Sequence, residues 1–168
     1  MQEANVPSIV VFQMRHDEFL FLGKEYTKKN ADYGAIWSDF CNGGYEVIEK
    51  YRKNSYDCMI VNHNNNPEYG VYSPGTMVEE IDALPEGFAL TKFPAREYLV
   101  VTHEWVLTKE EAIGQIARID EVKDSVEMPD GYMRYDGPGS QIELIEVENI
   151  GTELGSRWEN WVPIRKVE

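Results

Sequence analysis

The sequence predicts an α+β fold, with helices packed on one face of an antiparallel sheet. Short apolar and aromatic runs of strand length recur from Ile9 to the C-terminal end, separated by turn residues. Two stretches with helical spacing interrupt them, one after Asp32 and one after Thr108. The order is strand, helix, strands, and then strand, helix, strands again, which suits an antiparallel sheet with helices on one side. This order also suggests two similar halves, although no residue-level repeat accompanies it.

Ile9–Phe12 is the first apolar stretch, and residues 1–17 read as an N-terminal extension. EFLFLGKEYT, from Glu18 to Thr27, reads as a strand in which Gly23 marks a bulge or a close backbone approach. Asn30 or Asp32 caps a helix starting near Tyr33. Its apolar positions are Ile36, Trp37, Phe40 and Cys41, then Val47, Ile48 and Tyr51. Gly43-Gly44 either ends this helix and starts a second, or sits inside it at about 1 kcal/mol per glycine. YDCMIVN is the next strand, HNNNPEYG a loop, YGVYS a short apolar run that SPG turns, and TMVEEID an extended segment. LPEG turns the chain again. FALTKF and AREYLVVTHEW are two strands, with Pro94 as a bend between them.

The second helix opens on Thr108-Lys109-Glu110-Glu111, which has capping-box spacing. Ala112, Ile113, Ile116, Ala117 and Ile119 form its apolar side. DSVEMPDGYMRYDGPGS reads as a turn-rich surface loop. IELIEVE and WENWVPIRK are the last strands.

The 168 residues fit one or two domains, and 42% hydrophobic residues suffice for a core. A chain of this size buries roughly 70% of its unfolded surface, so no disulfide is needed. Two cysteines, Cys41 and Cys58, make no disulfide framework, and with no signal peptide they point to a reducing cytoplasm. No apolar run reaches the roughly 18 residues of a membrane span. A net charge of -14 without a basic stripe argues against direct nucleic-acid binding. That charge suits solubility and also a cationic ligand.

His16, His63 and His103 lie far apart, and neither HExxH nor CxxC occurs, so no metal is expected. No phosphate-binding glycine loop follows a strand, GxSxG is absent, and no cofactor is implied. Cys41 has no histidine in register and reads as a core cysteine. What recurs is aromatic rings near carboxylates: the chain has four tryptophans, ten tyrosines and six phenylalanines. WENWVPIRKVE sets Trp158 and Trp161 around Glu159. Ring faces attract a cation by about 1–2 kcal/mol once water is excluded, and a carboxylate adds charge pairing. Ordinary core packing of the same rings is the competing reading. On a regular strand Trp158 and Trp161 point to opposite faces, so one of them serves the core.

Three segments together resemble the GyrI-like small-molecule-binding domain family, shared with effector-binding domains of AraC-type and multidrug-responsive regulators. PAREYLVVTH is similar to its "P-A-x-x-Y-x-V-F" strand and WENWVPI to its closing "E-x-W-x-P-I" strand. IWSDFCNGGYEVI is similar to its first helix, and GVYS fits a following strand. The likeness runs from about Glu18 to Lys166, so residues 18–168 would form the domain, with halves at about 18–84 and 85–168. It implies two pseudo-symmetric βαββ-type halves with a ligand cleft between them, taking hydrophobic, often cationic compounds.

The resemblance places the family's glutamate at Glu143, in IELI, although the tyrosine of the "F-E-x-Y" pattern becomes Ile145. Glu146 is the rival assignment. Glu159 and Trp161 match the closing strand, and Tyr98 matches the strand tyrosine. The implied ligand-binding residues are Glu143 or Glu159 for charge, with Trp37, Tyr98, Trp158 and Trp161 as walls. The expected acid has no basic neighbour. The expected role is that of a free-standing sensor, sequestering or accessory regulatory domain without its own DNA-binding module. Two alternatives stay open: a hydrolase opening strained or electrophilic rings through Glu143 or Glu159, and an interaction protein with a protein partner or a second copy of itself.

Overall fold

Ten strands and four short helices make up the computed structural model, which describes residues 6–52, 56–63, 70–135, 140–148 and 155–168. The side chains of residues 56, 57, 63 and 140–148 lie outside the description. In chain order the elements are β1 (Ile9–His16), β2 (Phe19–Lys24), β3 (Tyr26–Thr27), α1 (Tyr33–Cys41), α2 (Gly44–Tyr51), β4 (Tyr56–His63) and β5 (Val71–Val78). There follow β6 (Phe88–Phe93), β7 (Arg96–His103), α3 (Lys109–Ile113), α4 (Ile116–Lys123), β8 (Tyr132–Arg134), β9 (Ser140–Glu148) and β10 (Ser156–Lys166).

The strands order as β1-β7-β10-β9-β4-β5-β2-β6, with β3 beside β5 and β8 beside β10. Every pairing is antiparallel. Two units with the same plan meet at β4–β9. Each runs strand, helices, strand, strand, and each places its first, third and second long strands side by side: β2-β5-β4 and β7-β10-β9. The two remaining strands cross over. β1 precedes β2 but pairs with β7 over eight positions, and β6 precedes β7 but pairs with β2 over six. The stretch set apart in the sequence as an extension, 1–17, thus contains an edge strand of the sheet. From Phe12 to His16 this strand alternates, with Phe12 and Met14 half-buried against the core.

Local chemistry accounts for the helices. Asp32 caps α1 by accepting from the Ala35 N–H at 3.1 Å. Gly43, at φ 98°, ends that helix and starts α2, so the glycine pair divides two helices. Thr108 and Glu111 form the expected capping box at the start of α3, each side chain accepting from the other's backbone N–H at 3.2 Å.

Two sequence expectations fail for one shared reason. SPG does not turn the chain, because β5 runs straight through Ser73, Pro74 and Gly75. Proline is expected only where no ladder bond is lost. Along that edge β3 pairs with Val71–Tyr72 and β2 resumes at Gly75, so Pro74 sits in the gap between them. Pro163 does the same on β10: β9 pairs up to Glu159 and β8 resumes at Ile164. The turn-rich segment before it also supplies a strand, β8, which pairs with Ile164–Lys166, rather than loop alone. Gly75 faces Gly23 across β2–β5, and a Cβ there would lie 2.0 Å from the Leu22 carbonyl oxygen.

The helices cover one face of the sheet. Ile36, Ala112 and Ile119 pack on Ile60, Leu99, Val101, Trp158, Val162 and Ile164. The other face closes on itself. β1 reaches β2, and β6 reaches β7, through two-residue connections that span at most about 11 Å, which draws the two ends of the strand order together. Phe19 stacks on Phe93 at 4.9 Å and touches the His16 ring at 5.0 Å across this closure. The interior holds Phe21, Met59, Val61, Met77, Tyr98, Val100 and Trp161, all nearly solvent-free.

Candidate functional site

The closing strand β10 carries the chemistry, and its alternation sorts the residues. Arg157, Glu159 and Trp161 are two apart and share the interior face, while Trp158, Val162 and Ile164 face the helices. Phe12, Val100 and Trp161 stand in one row across β1, β7 and β10, and Met14, Tyr98 and Pro163 in the next. Tyr98 and Trp161 meet with ring centroids 5.2 Å apart. Burying such a ring contributes on the order of 4–6 kcal/mol, from 150–250 Å² at about 25 cal/mol per Å². The rings alone therefore secure this face.

Glu159 is buried at 4% exposure, where an unpaired carboxylate costs several kcal/mol. Both of its oxygens are satisfied. The Trp161 indole N–H donates to Oε1 at 2.9 Å. Arg157 donates to Oε2 through Nε at 2.9 Å and pairs through Nη2 at 2.7 Å. The expected acid without a basic neighbour is thus corrected: the basic neighbour stands two residues earlier on the same strand face. The Arg157 guanidinium lies 4.3 Å from the Trp105 ring centroid and 5.8 Å from that of Phe12. Its side chain is 19% exposed, so it forms the rim where the interior meets solvent.

Tyr98 lies deeper. It is 1% exposed, and its hydroxyl has no hydrogen-bond partner among the described residues. Burial pushes its pKa up to about 12, against a smaller opposing effect of Arg96. The hydroxyl is one of six buried side-chain polar atoms without a hydrogen-bond partner among the described residues, with Asn62 Oδ1, Ser73 Oγ, Ser156 Oγ, Trp158 Nε1 and Asn160 Nδ2, and the one on the interior wall beside Trp161. His103 contrasts with it. Its Nε2 accepts from the Trp158 N–H at 3.1 Å, and Nδ1 lies 2.7 Å from the Glu104 carbonyl oxygen. Nδ1 therefore carries the proton, the ring is neutral, and burial holds its pKa below the usual value.

Of the residues proposed from sequence, the interior brings together Tyr98, Glu159 and Trp161. Trp158 and Trp37 belong to the helix side. Trp37 donates to the Tyr72 hydroxyl at 3.2 Å, and Trp158 is buried among apolar side chains. Glu143 is the extra residue of a bulge, since Val61 pairs with Ile142 and Ile60 with Leu144. The register sets Glu146 opposite Trp158. The side chains of Glu143 and Glu146 lie outside the described residues. Sequence reasoning missed Arg157, Trp105 and Phe12. The alternation of Arg157, Glu159 and Trp161 was the available signal for the first.

A depression of about 500 Å³ opens elsewhere, lined by Glu18, Leu20, Val78, Glu79 and Lys92, and shares only Phe19 with the interior cluster. Glu18 there is paired with Lys92 at 3.1 Å, and both are well exposed. Screened surface pairs select ligands poorly, so the buried acid and rings are the stronger candidate. Among the described residues no cluster of three or more His, Cys, Asp and Glu side chains is placed to hold a metal. No helix among them is long and apolar enough to cross a membrane.

Several solved structures share this architecture. SAV2435 bound to tetraphenylphosphonium matches with a TM-score of 0.66 at 10% identity, covering 93% of this chain and 94% of that one. The integron cassette protein VCH_CASS2, from the mobile metagenome of Vibrio cholerae, matches at 0.54 and 13% identity, over 92% and 95% of the two chains. EcmrR, solved in a complex with DNA, matches at 0.51 and 13% identity, with 95% of this chain covering 58% of that one. No curated protein matches the chain in a sequence search. The profile of the integron-associated effector binding proteins (Cass2) matches residues 9–164, which bears out the resemblance to GyrI-like effector-binding domains. The chain belongs to the integron-associated effector binding protein family.

Proposed function

We propose that the chain binds hydrophobic, cationic small molecules at the interior wall of Tyr98, Glu159 and Trp161, and acts as a sensor or sequestering domain for them. One observation carries this reading: a fully buried tyrosine hydroxyl, unpartnered among the described residues, beside an indole that hydrogen-bonds a buried carboxylate. A core built for stability alone gains nothing from either polar group. A guest with positive charge and flat apolar surface would use both, through charge pairing and ring-face attraction. The tetraphenylphosphonium bound to SAV2435 supports the same ligand class.

The test is a titration of tetraphenylphosphonium and a biaryl amidinium, followed by tryptophan fluorescence and calorimetry. Glu159→Gln should weaken both by tenfold or more, which corresponds to about 1.4 kcal/mol. Glu143→Gln is measured alongside. A loss confined to Glu143→Gln would move the charge partner to β9. Equal affinity for wild type and both variants would defeat the carboxylate reading.

A further inference from the structure

Arg157 occupies the place that a ligand cation would take. Its guanidinium sits over Trp105, beside Phe12, and reaches Glu159, the one buried carboxylate among the described residues, with two nitrogens on Oε2. Acid, aromatic face and partial exposure to solvent are the parts of a cation site, and this one is filled by the chain's own side chain. We infer that Arg157 is a resident cation that sets ligand selectivity: entering ligands displace it, and the favoured ones are planar cations carrying N–H donors, such as amidinium and guanidinium compounds. This inference rests on the reading given under Proposed function.

The argument is one of hydrogen-bond replacement. Trp161 satisfies Oε1 whatever happens at the rim. Oε2 depends on Arg157 for the two contacts that the structure gives it. A ligand that expels the guanidinium must supply N–H donors to Oε2, or it leaves a buried anionic oxygen short of partners. A tetra-substituted phosphonium or ammonium has charge but no N–H. An amidinium has both, and its flat face suits the Trp105 ring as the guanidinium does. Arg157 can leave because its outer edge already meets solvent, where its charge is rehydrated.

Arg157→Ala separates this role from a structural one. The truncation leaves a guanidinium-sized gap beside Glu159. Ethylguanidinium at tens of millimolar should then raise the melting temperature of the variant by roughly 3–6 °C more than that of wild type. Tetramethylammonium at the same concentration should not. A variant that is unfolded alone and folds with ethylguanidinium gives the same result. The biaryl amidinium should bind the variant at least tenfold more tightly than wild type, and wild type should prefer it to tetraphenylphosphonium. In the double variant Arg157→Ala/Glu159→Gln the ethylguanidinium effect should vanish.

Rescue no larger than in wild type, or equal rescue by tetramethylammonium, would overturn the inference. So would amidinium affinities within twofold of each other in wild type and Arg157→Ala. If these fail while Glu159→Gln still loses lipophilic cations, the binding reading stands and only the role of Arg157 falls. If ethylguanidinium rescues the variant but neither protein binds a lipophilic cation, the site's preference for a guanidinium stands and the binding reading falls.

Discussion

Replacing Tyr98 with Phe should stabilise the protein and weaken ligand binding at once. The Tyr98 hydroxyl is buried with no partner among the described residues, so folding strips it of water and returns no hydrogen bond there. An uncompensated buried polar group costs about 1–3 kcal/mol. Deleting it leaves a gap the size of one oxygen, on the order of 10 Å³, which costs about 0.2 kcal/mol at 24 cal/mol per Å³. The net expectation is a gain of about 1 kcal/mol, or roughly 2–4 °C in melting temperature for a chain of this length.

Alkaline pH adds a second readout. With its pKa raised from 10.0 to about 12, Tyr98 keeps its proton longer in the folded state than in the unfolded one. Its effect on stability is constant below pH 10, and the folded state loses further stability as pH rises from there toward about 12, because the unfolded tyrosine ionises first. Tyr98→Phe lacks that loss. Urea melts of wild type and variant from pH 7 to the alkaline limit measure both effects. If the variant is destabilised by about 1 kcal/mol or more at pH 7, the hydroxyl has a partner and the reasoning fails. If it gains stability but binds lipophilic cations as wild type does, Tyr98 has no part in binding.

Three further outcomes test the fold. His103 is buried and neutral with a lowered pKa, so the unfolded chain takes up protons more readily. Its contribution is complete above about pH 6.5 and lost below it, at up to about 1.4 kcal/mol per pH unit, and a pH series of urea melts on His103→Gln should show a flatter acid limb. Thr108→Ala removes the cap of α3 and should cost about 1 kcal/mol in thermal or urea unfolding. Gly75→Ala drives a methyl group onto the Leu22 carbonyl and should cost about 3 kcal/mol or prevent folding, judged by yield and circular dichroism.

What was legible in the sequence was local. The Thr108 capping box lies within four residues, and β2, β7 and β10 are apolar-rich runs buried on both faces. Glu159 and Trp161 were named by the indoles crowding one acid in WENWVPIRKVE and by the likeness to the family's closing strand, and Tyr98 by that likeness alone. Which of two tryptophans faced inward depended on the partner strand. Trp158 turned toward α3 and α4, while Trp161 lined up with Val100. The strand through Pro74 was hidden because SPG is a sound turn signal, and only the gap between β3 and β2 makes it harmless. The bulge at Glu143 shifts the register of β9 by one residue, which no count along the sequence reveals. The Arg157–Glu159 pair was within reach of the period-two rule for strands, but attention to rings passed over the cation.

The crossing of β1 and β6 has a mechanical consequence. Each edge strand is covalently attached to one unit and hydrogen-bonded to the other. Swinging the two units apart about the β4–β9 seam would tear both edge ladders together, so the barrel-like interior cannot open as a clamshell. The two edges fasten the units at both ends of the strand order, so a hinge motion would have to unpair fourteen residue pairs at once, eight on β1 and six on β6.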